Sequence, residues 1–263
     1  MGGGGGGGRI GLGGLAILIV LSAVFGRDMV SEFVGGGGVG TAPTSTADGA
    51  IADPAEEDMV LFVSSVLDSA QVTWRRLLPG YTDARLVLFR DAVESACGFA
   101  EAATGPFYCP GDRRVYIDLG FFDQLERQFG APGDFAQAYV LAHEIGHHVQ
   151  TVTGTEREVR AEQQRSPRYA NQLSVAMELQ ADCYAGVWAY SAARAGQLEA
   201  GDLEEGLNAA AAVGDDRLQK MGRGRVNPET FTHVSSAERQ RWFRRGFESG
   251  DPARCDAFAE ASP

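Results

Sequence analysis

The run His143-Glu144-Ile145-Gly146-His147-His148 constrains this chain more than any other stretch, because it gathers three of only four histidines into six positions. His143 and His147 are four apart. On a helix that spacing sets two imidazoles on one face, a turn apart, where both reach a single ion. The neighbours Val140, Leu141, Ala142, Ile145 and Val149 are apolar, so the helix is expected to be buried. Buried imidazoles without partners are costly, and a shared metal ion removes that cost. Zinc suits nitrogen donors at this spacing, and Glu144 beside them is placed to take a proton from water activated there. His148 sits about 100° around the helix from His147 and reads as a packing or hydrogen-bonded histidine. Gly146 costs up to about 1 kcal/mol relative to alanine inside a helix, which points to close approach by another backbone or by substrate.

A catalytic zinc site takes three protein ligands and keeps one position open. A glycine three and a histidine six residues beyond His147 would supply the third ligand locally, but those positions hold Gln150 and Thr153. The ligand must therefore come from further along the chain. In "MELQADCYAGVWAY", Glu178 and Asp182 are four apart among apolar and small residues. Glu178 is read as the ligand. Asp182 is read as the acceptor of the second ring N–H of His143, which fixes the tautomer. A solvated pair of acids is the alternative. Glu156, Glu158 and Glu162 are weaker candidates because their surroundings are charged. His233, in "FTHVSSAER", is read as a donor to a developing oxyanion, or else as a loop or capping histidine. Ser235 with Glu238 has the spacing of a capping box. Asp215 and Asp216 read as a helix-terminal turn in preference to a second cation site.

The rest of the chain supplies the setting. Residues 1–9 are a glycine-rich tip expected to be disordered. Residues 10–26 are uncharged and mostly apolar between Arg9 and Arg27, at the lower edge of a bilayer span, and read as a membrane anchor or a cleaved signal. Residues 27–53 read as a flexible linker, and 54–263 as one domain. This places the domain on the extracytoplasmic side of the cell membrane, on a single-pass anchor. Four cysteines without a C-x-x-C pair fit two disulfides in such a compartment. A net charge of −12 argues against nucleic acid as a partner.

Periodicity predicts a helix from Ala55 to the Pro79-Gly80 stop, a strand at Leu86 to Phe89, and a turn at Pro110-Gly111-Asp112 feeding a strand at Val115 to Ile117. Helices are predicted over Phe121 to Phe129, Asp134 to about Val152, Asn171 to Ala195, Asp202 to Val213 and Ser236 to Phe247. The polar stretch between Thr153 and Gln172 is expected to be a surface connection. The class is α+β, mainly helical, with a small N-terminal β-sheet.

The blocks "FYCPGDRRVYIDLGFF", "AYVLAHEIGHHVQ", "MELQADCYAGVWA", "FTHVSSAERQRWFRRGFESGD" and the closing "CDAF" occur in the order of a bacterial, membrane-associated neutral zinc metallopeptidase family, which this chain resembles. The resemblance implies a zincin-like domain of the type that adds a downstream glutamate. It implies one Zn2+ per chain held by His143, His147 and Glu178, with Glu144 as base and an envelope location. The family has glycine where this chain has Val234. Beside the resemblance, Cys97 with Cys109 and Cys183 with Cys255 are the expected disulfides, against four buried free thiols. The expected function is zinc-dependent hydrolysis of a peptide or protein, with substrate pairing along an edge strand near Val115 to Ile117. The alternative is a zinc-stabilised envelope binding or scaffold protein without turnover.

Overall fold

A computed structural model of the chain describes residues 54–101, 105–214, 216 and 234–259. Residues 1–53, and with them the expected tip, anchor and linker, lie outside that set, as do His233 and Asp215. Among the described residues no helix is long and apolar enough to cross a membrane.

Helix α1 spans Pro54–Leu77, with Glu56 and Glu57 in its first turn and Arg75 and Arg76 in its last, charges that oppose the helix dipole at both ends. Strands β1 (Arg85–Phe89), β2 (Ala92–Ser95), β3 (Gly98–Glu101), β4 (Phe107–Cys109) and β5 (Arg114–Asp118) follow. Helices α2 (Phe121–Arg127), α3 (Asp134–Thr153), α4 (Thr155–Arg165), α5 (Ala170–Arg194), α6 (Asp202–Ala212) and α7 (Ser236–Ser249) make up the rest, with short 3-10 turns at Pro167–Tyr169 and Pro252–Cys255. The described chain is thus mainly helical α+β with small sheets.

Two sequence expectations need correction. The strand at Val115 to Ile117 is not an edge. β5 lies at the centre of a three-stranded sheet, parallel to β1 and antiparallel to β4. Its Val115, Tyr116, Ile117 and Asp118 are all buried, as a strand covered on both faces requires. The polar stretch after Thr153 is not an irregular connection either. It holds α4, whose Glu156–Arg160 and Glu162–Arg165 pairs are spaced for helix support while Val159 and Gln163 face inward. The β2–β3 hairpin is an element that the sequence reading did not find.

Helix α3 ends at Gly154, whose φ of 86° is the left-handed cap conformation that glycine adopts without penalty. Gly154 thereby separates α3 from α4. α3 packs against α1, α5 and α6, and the central core is built around it from Leu141, Ile145, Val149, Trp74, Leu125 and Phe243. Ring contacts tie the helices together: Trp74 with Tyr184, Phe135 with Trp188, and Tyr139 with Phe243.

The most extensive helix contact is between α5 and α7. It depends on two glycines facing backbone. A Cβ at Gly186 would overlap the Phe243 carbonyl, and one at Gly246 would overlap the Cys183 carbonyl. Gly146 serves the contact of α3 with α5 in the same way. A Cβ there would meet the Ala181 carbonyl oxygen at 2.9 Å, so its neighbour is backbone. Gly246→Ala should therefore cost about 2–3 kcal/mol by overpacking, despite the better helix propensity of alanine. Urea unfolding checks this; a loss under about 1 kcal/mol would mean that the two helices can separate freely.

Both expected disulfides are present. Cys97–Cys109 ties the β2–β3 turn to β4, and Cys183–Cys255 pins the C-terminal segment to α5.

Candidate metal centre

His143 and His147 project from α3, and Glu178 and Asp182 from α5. The crossing at Gly146 brings the two helices together, and each pair, four apart, shares a helix face. The ring Nε2 atoms of His143 and His147 are 3.2 Å apart. Glu178 presents Oε2 to the first and Oε1 to the second, each at 3.5 Å. One donor atom from each of the three lies within 4.8 Å of the others, close enough to hold a metal ion. The group is not sealed, since the His147 and Glu178 side chains keep 19% and 18% exposure.

The far side of each ring is fixed. His143 Nδ1 faces Asp182 Oδ1 at 2.8 Å. An ionised carboxylate only accepts, so Nδ1 carries a proton and Nε2 is the nitrogen turned to the centre, where a metal would take the place of its proton. His147 Nδ1 faces Gln150 Oε1 at 2.9 Å. Asp182, fully buried, also accepts from the Tyr139 hydroxyl at 2.5 Å.

Arg239 completes the arrangement. This residue of α7 is 3% exposed. Its Nη1 donates to both oxygens of Asp182 at 3.1 Å, and its Nη2 to Glu178 Oε2 at 2.9 Å. The guanidinium therefore bridges the Asp182 and Glu178 carboxylates. With both imidazoles neutral, as ligation requires, ionised Glu144, Glu178 and Asp182 carry three negative charges against one positive charge on Arg239, leaving two in excess. A divalent cation fits that deficit, and two imidazoles with one carboxylate are a donor set that zinc accepts.

Electrostatics agree. Burial opposes a charge on His143, but Asp182 and Glu178 outweigh it and push the ring up to about 10. The field that favours a proton there favours a metal ion as well. Burial lowers His147. Glu144, 7% exposed, is pushed up to about 7, chiefly by burial and further by Glu178, while His143, the Tyr108 backbone N–H and Arg239 act the other way. A carboxylate with a pKa near neutrality is suited to general-base work.

The remaining candidates sort plainly. His148 is fully buried and held between the Tyr108 hydroxyl at 3.0 Å and the Thr82 carbonyl at 2.6 Å, a packing role. Glu156 and Glu162 pair with arginines of their own helix, and none of Glu156, Glu158 or Glu162 joins the cluster. Ser235 caps α7, accepting the Glu238 N–H at 3.4 Å and donating to the Glu238 carboxylate at 2.8 Å. Asp216 accepts from the backbone N–H and the hydroxyl of Ser236, so it binds the first turn of α7 from a distant part of the chain. Val234, where the resembled family has glycine, is 1% exposed in the core.

Sequence reasoning missed Arg239, Tyr139, Gln150 and Tyr108. Arg239 left a signal. Arg239, Trp242, Phe243 and Gly246 recur at helical spacing, so an arginine occupies the apolar face of α7 and needs buried anions.

The chain is 45% identical to YpfJ of Escherichia coli K12, across 99% of this chain and 92% of that protein. It is 47% identical to Rv2575 of Mycobacterium tuberculosis H37Rv, across 74% of this chain and 69% of that one. Both relatives are uncharacterized proteins. No solved structure matches. The sequence model of one family runs over residues 1–258, taking in both helices of the metal centre, and on that match the chain belongs to the family described as "Putative neutral zinc metallopeptidase".

Proposed function

We propose that the chain is a zinc-dependent peptidase. The observation that carries the reading is the convergence of His143, His147 and Glu178 on one point, with the buried carboxylate of Glu144 on the same helix turn. A structural site has no use for such a base and usually closes its fourth position. When bound there, Zn2+ would supply Lewis acidity, making water a nucleophile near neutral pH and polarising a carbonyl.

The chain's own groups supply the rest. Glu144 takes a proton from the attacking water on a carboxylate oxygen, then delivers it to the leaving amine. Asp182 and Gln150 hold the two imidazoles in the tautomer that directs Nε2 inward. Arg239 holds Glu178 in place. Tyr108 lies on β4, the sheet edge nearest the base, and an extended peptide laid along that edge would pass Glu144. His233 belongs to the proposal as a further oxyanion donor.

The substrate is a peptide or protein, and the domain acts outside the cytoplasm on its N-terminal anchor. The apolar run at residues 10–26 and the two disulfides support that location.

A peptide-library digest with the full-length chain tests the reading. Cleavage should occur, stop with chelator and return with added Zn2+. Absence of cleavage under all three conditions would favour the binding or scaffold alternative.

A further inference from the structure

We propose that Gln150 and Gln180 are positioning residues that set the tautomer and angle of His147 and tie it to the disulfide-pinned C-terminal segment. The proposal rests on the metal reading above for its purpose, though not for its geometry.

The direction of every hydrogen bond in this chain of amides follows from its ends. Gln150 Nε2 lies 2.8 Å from the Met177 carbonyl oxygen. A carbonyl only accepts, so the amide group facing it must be the NH2. The other end, Oε1, must then accept, and its partner is His147 Nδ1 at 2.9 Å. His147 therefore carries its proton on Nδ1, with the Nε2 lone pair turned to the centre. Gln180 obeys the same logic. Its Nε2 lies 3.1 Å from the Cys255 carbonyl, so its Oε1 is the acceptor for the second hydrogen of the Gln150 amide, also at 3.1 Å.

Gln150 is fully buried, Gln180 is 6% exposed and Cys255 is fully buried. No water needs to be invoked to satisfy these groups, and a misdirected amide would leave two carbonyl oxygens facing oxygen. Two backbone carbonyls, one on α5 and one in the segment held by Cys183–Cys255, thus decide which nitrogen of His147 is free for a metal. His143 achieves the same end with a carboxylate, Asp182. An amide in that place orients the second ring without adding another negative charge to a centre that already holds three carboxylates.

The test uses the full-length protein with two readouts: the His147 tautomer by 15N NMR of the zinc-free chain, and the rate of Zn2+ loss to a chromophoric chelator. In the parent, His147 should be the Nδ1–H tautomer. Gln150→Ala should mix the tautomers and speed zinc loss by about 10- to 100-fold. Gln180→Leu, which removes one of the two acceptors steering Gln150, should speed loss by roughly 3- to 10-fold, a part of the full second-sphere effect. The double variant should be no worse than Gln150→Ala alone, because residues acting in series do not add. Replacing Cys183 and Cys255 together by serine should speed zinc loss in the parent but not on a Gln180→Leu background.

Unchanged tautomer and zinc loss in Gln150→Ala would overturn the proposal, as would additive effects. Should Gln150→Ala fail to fold, Gln180→Leu alone decides, and parent-like zinc loss overturns the proposal. A parent that shows the fixed tautomer but takes up no Zn2+ would refute the metal reading and leave the relay standing.

Discussion

Glu144→Gln should keep its full complement of Zn2+ and lose activity by about 10^2- to 10^4-fold in kcat, the range that a positioned general base supplies. Gln matches Glu in shape and can still accept the Tyr108 N–H that the carboxylate now takes. An amide, however, has no basic oxygen to take a proton from water. Glu144 is not one of the three donors of the metal cluster, so the centre should remain intact. Stability separates the base from a structural residue. The folded pKa of Glu144 is raised to about 7 from an ordinary 4.5. Its ionisation therefore costs the folded state increasingly as pH rises from about 4.5 to about 7, and the cost is absent below both values. Gln carries no charge to bury, so above neutral pH, with chelator present, the variant should unfold no earlier than the parent. Kinetics on a peptide found by library digest, zinc stoichiometry and urea unfolding together check this. Activity above a tenth of the parent's, with metal bound, would remove Glu144 from the mechanism.

How much of this site could be read from the sequence depended on whether its signal was local. His143 with His147, and Glu178 with Asp182, repeat at four residues, and helix geometry alone converts that spacing into a shared face. Their helices match the predicted ones within a residue or two, because long apolar stretches with clear stops leave little choice. The disulfide pairs also agree. What failed was whatever depends on a neighbour far away in the chain. The apolar run at Val115 to Ile117 is the mark of a strand covered on both sides, but its central place comes from pairing with β1, nearly thirty residues away in the chain. Helix α4 was hidden because its composition is polar and its support comes from Glu–Arg pairs. Gln150 entered the sequence argument only as the absence of a glycine, yet it orients His147. A single amide in an apolar helix carries no periodicity, and its partners, Met177 and Gln180, lie on another helix. Arg239 could have been found, since a charge on an apolar helix face demands a buried counter-charge.

Arg239→Met should lower stability by about 3–5 kcal/mol in the presence of chelator, the cost of leaving one side of a buried ion pair without its partner. Methionine fills much of the arginine stem's space, so the loss reports the guanidinium rather than a cavity. Asp182 would keep Tyr139 and His143 as donors but lose both bonds to Nη1, and Glu178 would lose the bond to Nη2. The Asp182 and Glu178 carboxylates would then face each other across the space that the cation held. Arg239→Lys should recover part of the loss only, because an ammonium cannot bridge both carboxylates in the plane that the guanidinium fork spans. Added Zn2+ should narrow the deficit of Arg239→Met, since it returns positive charge beside Glu178, but should not close it, because Asp182 reaches the centre only through His143. Urea unfolding of the parent and both variants, with chelator and with Zn2+, gives the full comparison. A loss below about 1 kcal/mol, the scale of a volume-conserving core exchange, would mean that Arg239 fills space and that the charge balance of the centre is set elsewhere. An equal loss with and without Zn2+ would mean that the arginine and the metal site are not coupled, and that α7 contributes packing to the centre without contributing charge.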